Sequence, residues 1–165
     1  MRVFAGMVTM ALLCAVAAPA VERNYDESFD FQAVKNFAWV DKPGWKVNPL
    51  ADRRIRGAVE SALAAKGFTM TAVADADLLL DYRAAVRDRL RVDETWRGRR
   101  LRGPVVRVWD VTSYDEGTLM LDMLTANDEA LVWRGIVSGA ISPETAEKRI
   151  KKAVNKLLKK FPPAE

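Results

Sequence analysis

The sequence predicts an α+β domain in which a single antiparallel sheet carries two helices packed on one face. Two observations lead there. Apolar residues recur at helical spacing over Asn48–Gly67 and again over Ser142–Phe161. Before and between these stretches, apolar and polar residues alternate with period two in runs separated by turn-forming residues. The element order that results is β-β-α-β, a four-strand meander, and α.

The first elements come from Asn24–Val40, where Tyr25, Phe29, Phe31, Phe37 and Trp39 alternate with polar residues. This pattern gives a first strand, a short turn around Gln32–Asn36 and a second strand at Phe37–Val40. Asp41-Lys42-Pro43-Gly44 is a turn. Asn48-Pro49 then opens a helix, because the asparagine side chain accepts a bond from a first-turn N–H and proline has no N–H to leave unpaired. Ile55, Val59, Ala62 and Leu63 form the inner stripe of this helix. Asp52/Arg56 and Arg56/Glu60 are i,i+4 pairs on its other side, and Gly67 is the expected stop.

After Phe68–Val73 and a turn at Ala74–Ala76 comes a long strand pattern. Leu78, Leu80, Tyr82, Ala84, Val86, Leu90 and Val92 share one parity, while Asp81, Arg83, Arg87, Arg89, Arg91 and Asp93 share the other. The expectation is one buried and one charged face. Trp96–Pro104 (WRGRRLRGP) reads as an exposed hairpin loop. Strands Val105–Ser113, Thr118–Leu124 and Ala130–Ser138 follow, joined by turns at Tyr114–Gly117 and Ala126–Glu129. Ser142-Pro143 opens the last helix, with Ala146, Ile150, Ala153, Val154, Leu157 and Phe161 inward. Lys148, Arg149, Lys151, Lys152, Lys156, Lys159 and Lys160 lie outward, and Pro162-Pro163 ends it.

Residues 1–20 read as a secretory signal peptide and 21–165 as one α+β domain. From Val3 to Ala20 the chain carries no charge, and Ala18-Pro19-Ala20 has the small-x-small form cleaved by signal peptidase after Ala20. The stretch is slightly short for a membrane span, which takes about 20 apolar residues. Export of this kind places the mature protein in the periplasm. The alternative uses Cys14, the chain's one cysteine, as a lipidation site that would tether the protein to the envelope; Leu13 directly before it fits that motif poorly. Cleavage after Ala20 leaves 145 residues with 25 basic and 22 acidic side chains, a net charge of +3. It also removes the thiol, so the fold must be held by its core. The sequence contains no histidine. Zinc and copper sites of the His/Cys type and the usual base for a serine or cysteine nucleophile are therefore excluded. No cofactor and no metal is expected.

Several segments together resemble the bacterial envelope proteins grouped as domain of unknown function 4136 (DUF 4136). They are Phe37-Ala38-Trp39, the helix Asn48–Phe68, DADLLLDY (Asp75–Tyr82), YDEGTLMLDM (Tyr114–Met123), Leu131-Val132-Trp133-Arg134-Gly135 and Ser142–Pro163. The resemblance implies an exported protein, often a lipoprotein, with no general catalytic site. The arginine-rich loop near Trp96 departs from relatives, which often carry glycine and aromatic residues there.

The strongest surface feature is the cluster Arg83, Arg87, Arg89, Arg91, Arg97, Arg99, Arg100, Arg102 and Arg107, with Trp96 among them. Arginine forks match phosphate and carboxylate bidentately, so the cluster is a candidate strip for an anionic envelope component: lipid headgroups, lipopolysaccharide phosphates or an acidic protein. Export removes nucleic acid from that list. The competing reading is a solvated sheet face whose arginines pair with Asp81, Asp88, Asp93 and Glu94. Trp45 and Trp96 fall in loops and are candidate partner anchors, while Trp39 and Trp133 belong to the core. Asp75, Asp77, Asp81, Asp115 and Glu116 suit turns and strand ends better than acid/base or calcium chemistry. The lysine face of the last helix suits solubility better than peripheral membrane contact.

The function expected from the sequence is a non-catalytic periplasmic or envelope-associated binding or accessory module. A carrier of a small apolar ligand between sheet and helices is one alternative, and a hydrolase based on carboxylates or a serine/lysine pair is another.

Overall fold

The structure, a computed structural model, describes residues 20–40, 48–97 and 106–163, with the backbone alone at positions 93, 95–97 and 106–108. Cys14, Trp45, Arg99, Arg100 and Arg102 lie outside the described residues.

Six strands form one mixed sheet: β1 (Val21–Tyr25), β2 (Asn36–Trp39), β3 (Thr69–Met70), β4 (Leu78–Arg97), β5 (Val106–Thr125) and β6 (Leu131–Ile141). Their spatial order is β1-β6-β5-β4-β2-β3. Helices α1 (Pro49–Ala64) and α2 (Ala146–Leu158) complete the fold. The α+β class and the two helices on one face agree with the sequence reading. The single antiparallel sheet does not, because β2 runs parallel to both β3 and β4. The reason is α1: a helix of 16 residues carries the chain back about 24 Å at ~1.5 Å per residue, so the strand after it re-enters in the direction of the strand before it.

The expected four-strand meander has three strands. Tyr114–Gly117, expected as a turn, lies inside β5, where Asp115, Glu116 and Gly117 pair with Asp88, Arg87 and Val86 on one side and with Ile141, Ala140 and Gly139 on the other. Ladder bonds on both edges outweigh the local turn preference of Asp-Glu-Gly. Gly117 also keeps room for its neighbour, since a Cβ there would stand 3.2 Å from Ile141 Cγ2. Trp96 and Arg97, expected in a loop, are the last two residues of β4.

The helices begin where their caps dictate. Asn48 Oδ1 accepts from Ala51 N–H at 2.9 Å and Gly67, with φ +87°, turns the chain after α1. Ser142-Pro143 forms a turn ahead of α2 rather than its first residues, closed by Thr145 N–H to the Ser142 carbonyl at 3.1 Å. Ile55, Val59 and Leu63 of α1 and Val154, Leu157 and Leu158 of α2 bury against Leu78, Leu80, Leu119, Leu121, Met123, Trp133 and Val137. Phe161, just past α2, sits 5.4 Å from both Phe68 and Trp133.

Gly135 lets α2 come this close. A Cβ at Gly135 would stand 2.3 Å from Trp133 Cη2 and 2.7 Å from Leu157 Cδ1. Arg23 of β1 secures the far end of α2, its guanidinium donating to the Leu157 carbonyl at 2.8 Å and to that of Lys156. Helix carbonyls left open at a C-terminus favour such a cation.

Candidate functional site

The β4–β5 hairpin is longer than the layer that covers it, and this sets the geometry of its surface. Pairing runs from Leu78↔Thr125 to Arg97↔Val106. On one flank β2 pairs with β4 only over Leu78–Leu80; on the other, β6 reaches β5 only as far as Asp115. Beyond those points the hairpin is a two-stranded ribbon among the described residues.

Because strand side chains alternate, the hairpin has two chemically different faces along its length. The outer face, opposite the helices, carries Arg83, Arg87, Arg89 and Arg91, all exposed. Arg89 Nε donates to Glu116 Oε2 at 2.9 Å and the Arg91 guanidinium stands 5.6 Å from the centre of the Tyr114 ring. Glu116 is directly opposite Arg87 in register and serves as the diagonal partner of Arg89. Nearer the core, Arg134 of β6 makes a bidentate pair with Asp122, at 2.6 and 2.7 Å, which holds the guanidinium charged even more firmly than usual. Asp122 is the buried carboxylate of this face. The sequence reading set these arginines against Asp81, Asp88, Asp93 and Glu94 of the same strand; Glu116 and Tyr114 of the neighbouring strand are further partners. Nothing in a one-strand pattern could reveal these cross-strand partners.

The inner face begins as core, with Leu80 fully buried, and ends in solvent. Val86, Leu90, Val92, Val111 and Trp109 are between 57% and 74% exposed, although they lie on the same face of the sheet as Leu78 and Leu80. Both helices stop short of them. The expected single buried face therefore holds only for the proximal half of β4. Asp88 and Asp115 stand opposite each other on this face. A hydrogen bond in which the protonated Asp115 carboxyl donates to Asp88, with desolvation and like charge adding to it, pushes Asp115 above its ordinary 3.8.

The remaining sequence candidates fall into structural roles. Asp77 accepts from the Lys35 and Asn36 N–H groups at 2.9 and 2.8 Å, which holds its carboxyl below the usual range and pins the start of β2. Trp133 is buried and Trp39 half-buried, the latter donating Nε1–H to Glu60 at 2.8 Å under the Arg56 guanidinium at 4.8 Å. Tyr82 reaches Asp52 at 2.5 Å and Asp52 also pairs with Arg56 at 3.0 Å. This polar seam joins α1 to β2 and β4, a contact the sequence showed only as an i,i+4 pair. The helix lysines and arginine at 148, 149, 151, 152, 159 and 160 are exposed as expected. Trp109, in a strand pattern, is an exposed residue that parity alone did not reveal.

A surface crease of about 390 Å³ lies at Tyr25–Gln32 and Pro163. Two of its carboxylates are occupied by local turns, Asp26 with Ser28 and Asp30 with the Gln32 N–H. Among the described residues, no group of three or more His, Cys, Asp or Glu side chains is placed to hold a metal ion, and no helix is long and apolar enough to cross a membrane.

Known structures share this architecture. A PDZ domain protein from Parabacteroides distasonis superposes with a TM-score of 0.62 at 14% identity, over 88% of this chain and 36% of that one. The chain thus corresponds to about a third of that protein. A DUF4136 family protein from Bacteroides thetaiotaomicron gives 0.55 at 16% identity, covering 87% and 96% of the two chains. The PelC dodecamer protein of Paraburkholderia phytofirmans gives 0.53 at 12%, covering 86% and 95%. At these identities the likeness is one of fold. No curated protein matches the sequence. The sequence itself matches the family described as Domain of unknown function (DUF4136) over residues 21–163. With nearly all of its described fold inside that match, the chain belongs to the DUF4136 family.

Proposed function

We propose that this chain is an exported, non-catalytic binding module of the bacterial envelope that holds an anionic partner on the basic outer face of its β4–β5 hairpin. The observation that carries the reading is the row Arg83, Arg87, Arg89 and Arg91, exposed on one face of the β4–β5 hairpin, whose distal part projects as a two-stranded ribbon. The guanidinium forks of Arg87, Arg89 and Arg91, at alternate strand positions about 6.6–6.8 Å apart, suit repeated phosphates or carboxylates. Lipid headgroups, lipopolysaccharide phosphates and acidic proteins all present such groups.

Export is supported by the uncharged leader and by position: the family match and β1 both start at Val21, directly after the expected cleavage point at Ala20. A mass determination of the mature N-terminus separates cleavage there from acylation at Cys14. A periplasmic or envelope-tethered location also argues against nucleic acid as the partner. The carrier alternative needs room between sheet and helices, and that layer is filled by Trp133, Phe161, Leu157 and Leu63, each at most 1% exposed. The hydrolase alternative needs facing carboxylates in a cleft. Asp88 and Asp115 face each other on an exposed ribbon instead.

Binding to vesicles containing phosphatidylglycerol, to lipopolysaccharide and to zwitterionic vesicles tests the reading. The anionic surfaces should retain the protein at low salt and release it as the Debye length shrinks from ~10 Å at 0.1 M to ~3 Å at 1 M. An R83A/R87A/R89A/R91A variant should lose that retention. Equal retention of the variant would sink the assignment.

A further inference from the structure

We propose that the distal β4–β5 ribbon is a head-to-tail interface between copies of this chain, in which the arginine face of one copy stacks on the apolar, carboxylate-bearing face of the next. The inference rests on the reading that the basic face takes an anionic partner, and it names that partner.

An isolated two-stranded ribbon is at best marginally stable in water and gains stability from a third strand or a packed layer. From Arg89↔Tyr114 to Arg97↔Val106 this ribbon has neither among the described residues. Leu90, Val92, Trp109 and Val111 stand exposed on its inner face, and Val86, just before the point where β6 ends, stands exposed next to them. Val92 and Val111 are direct cross-strand neighbours, so they form a patch rather than scattered points. Such a surface calls for cover.

Charge identifies the cover. The inner face carries Asp88 and Asp115 side by side within the apolar patch, with Glu94 further along; the outer face carries Arg87, Arg89 and Arg91 over the same stretch of strand, beside Glu116 and Asp110. Two inner faces brought together would oppose four carboxylates. Two outer faces would bring Arg87, Arg89 and Arg91 of both copies together, with Glu116 already engaged by Arg89. An outer face laid on an inner face places arginine forks over the aspartate pair and aliphatic arginine stems over Val86, Leu90 and Val92. Outer face on inner face is therefore the pairing that sets the arginines over the aspartate pair and also covers the apolar patch.

The area agrees with repetition rather than a lone dimer. From Val86 to Arg97 the distal hairpin is about 40 Å long at ~3.3 Å per residue and roughly 10 Å wide, so each face offers on the order of 400 Å². A standard interface takes about 800 Å² from each partner. A head-to-tail contact uses both faces of every copy, doubling the area engaged per chain and propagating to a ring or filament.

Sedimentation velocity on the protein in the form that cells accumulate tests this, using wild type, R87E/R89E/R91E and D88R/D115R, with circular dichroism confirming each fold. Wild type should show mass beyond the dimer that grows with concentration and falls toward the monomer at high salt. Each variant alone should be monomeric, and an equimolar mixture of the two should recover association, since each supplies the charge the other lacks. A wild type that stays monomeric at all concentrations overturns the proposal. So does R87E/R89E/R91E assembling by itself, or a mixture that fails to associate. Monomeric wild type that still binds phosphatidylglycerol vesicles or lipopolysaccharide through its arginines overturns this inference alone; loss of both behaviours overturns the binding reading as well.

Discussion

Trp133, Arg134 and Gly135 place three demands on consecutive positions of β6. The indole points into the core, the guanidinium points out to Asp122, and the glycine leaves the space into which Trp133 and Leu157 close. Gly135→Ala should therefore cost about 1–3 kcal/mol by overpacking, because the atoms it meets belong to buried, well-packed side chains; urea denaturation reads this directly. Asp77 makes a different kind of residue-level contribution, receiving the Lys35 and Asn36 N–H groups. Asp77→Ala should cost about 1 kcal/mol near neutral pH. Its carboxyl is held below the ordinary 3.8 when folded, so the stabilisation is present above that value and is lost as pH falls through the folded value. The gap between wild type and Asp77→Ala should accordingly narrow on acidification below about pH 4, as followed by thermal melts over a pH series. A gap that stayed constant to pH 2 would assign the cost to something other than the carboxylate.

At the scale of elements, β4 separates what periodicity can show from what it cannot. Leu80 and Leu90 share strand, parity and residue type, yet the first is fully buried and the second 74% exposed. Leu80→Ala should cost about 2–5 kcal/mol. Leu90→Ala should stay within about 0.5 kcal/mol when measured by denaturation at dilute, non-associating concentration. Comparable losses at both positions would contradict the placement of the distal ribbon beyond the helices. The α1 cap, its inner stripe and its glycine stop were legible because each depends on neighbours within a turn or two. The Tyr114–Gly117 turn was misread because its fate is decided by pairing with Val86–Asp88 and Gly139–Ile141, which lie far away in sequence. The parallel β2 pairings were hidden for the same reason, since nothing local fixes the direction in which a strand meets its neighbour.

For the molecule as a whole, the fold is a compact layer of two helices on a mixed sheet from which one hairpin extends. The arginine row was legible as a parity pattern in β4; its position on a ribbon with two exposed faces was not, because it depends on where the helices and flanking strands stop. That position makes the hairpin the account's functional element. Hydrogen–deuterium exchange in the presence and absence of phosphatidylglycerol vesicles at low salt tests the claim most directly. Protection should appear over residues 83–92 of β4 and the facing 111–120 of β5, and disappear at high salt. Binding that protects the lysine face of α2 or the crease at Tyr25–Gln32, while leaving the hairpin's exchange unchanged, would contradict it.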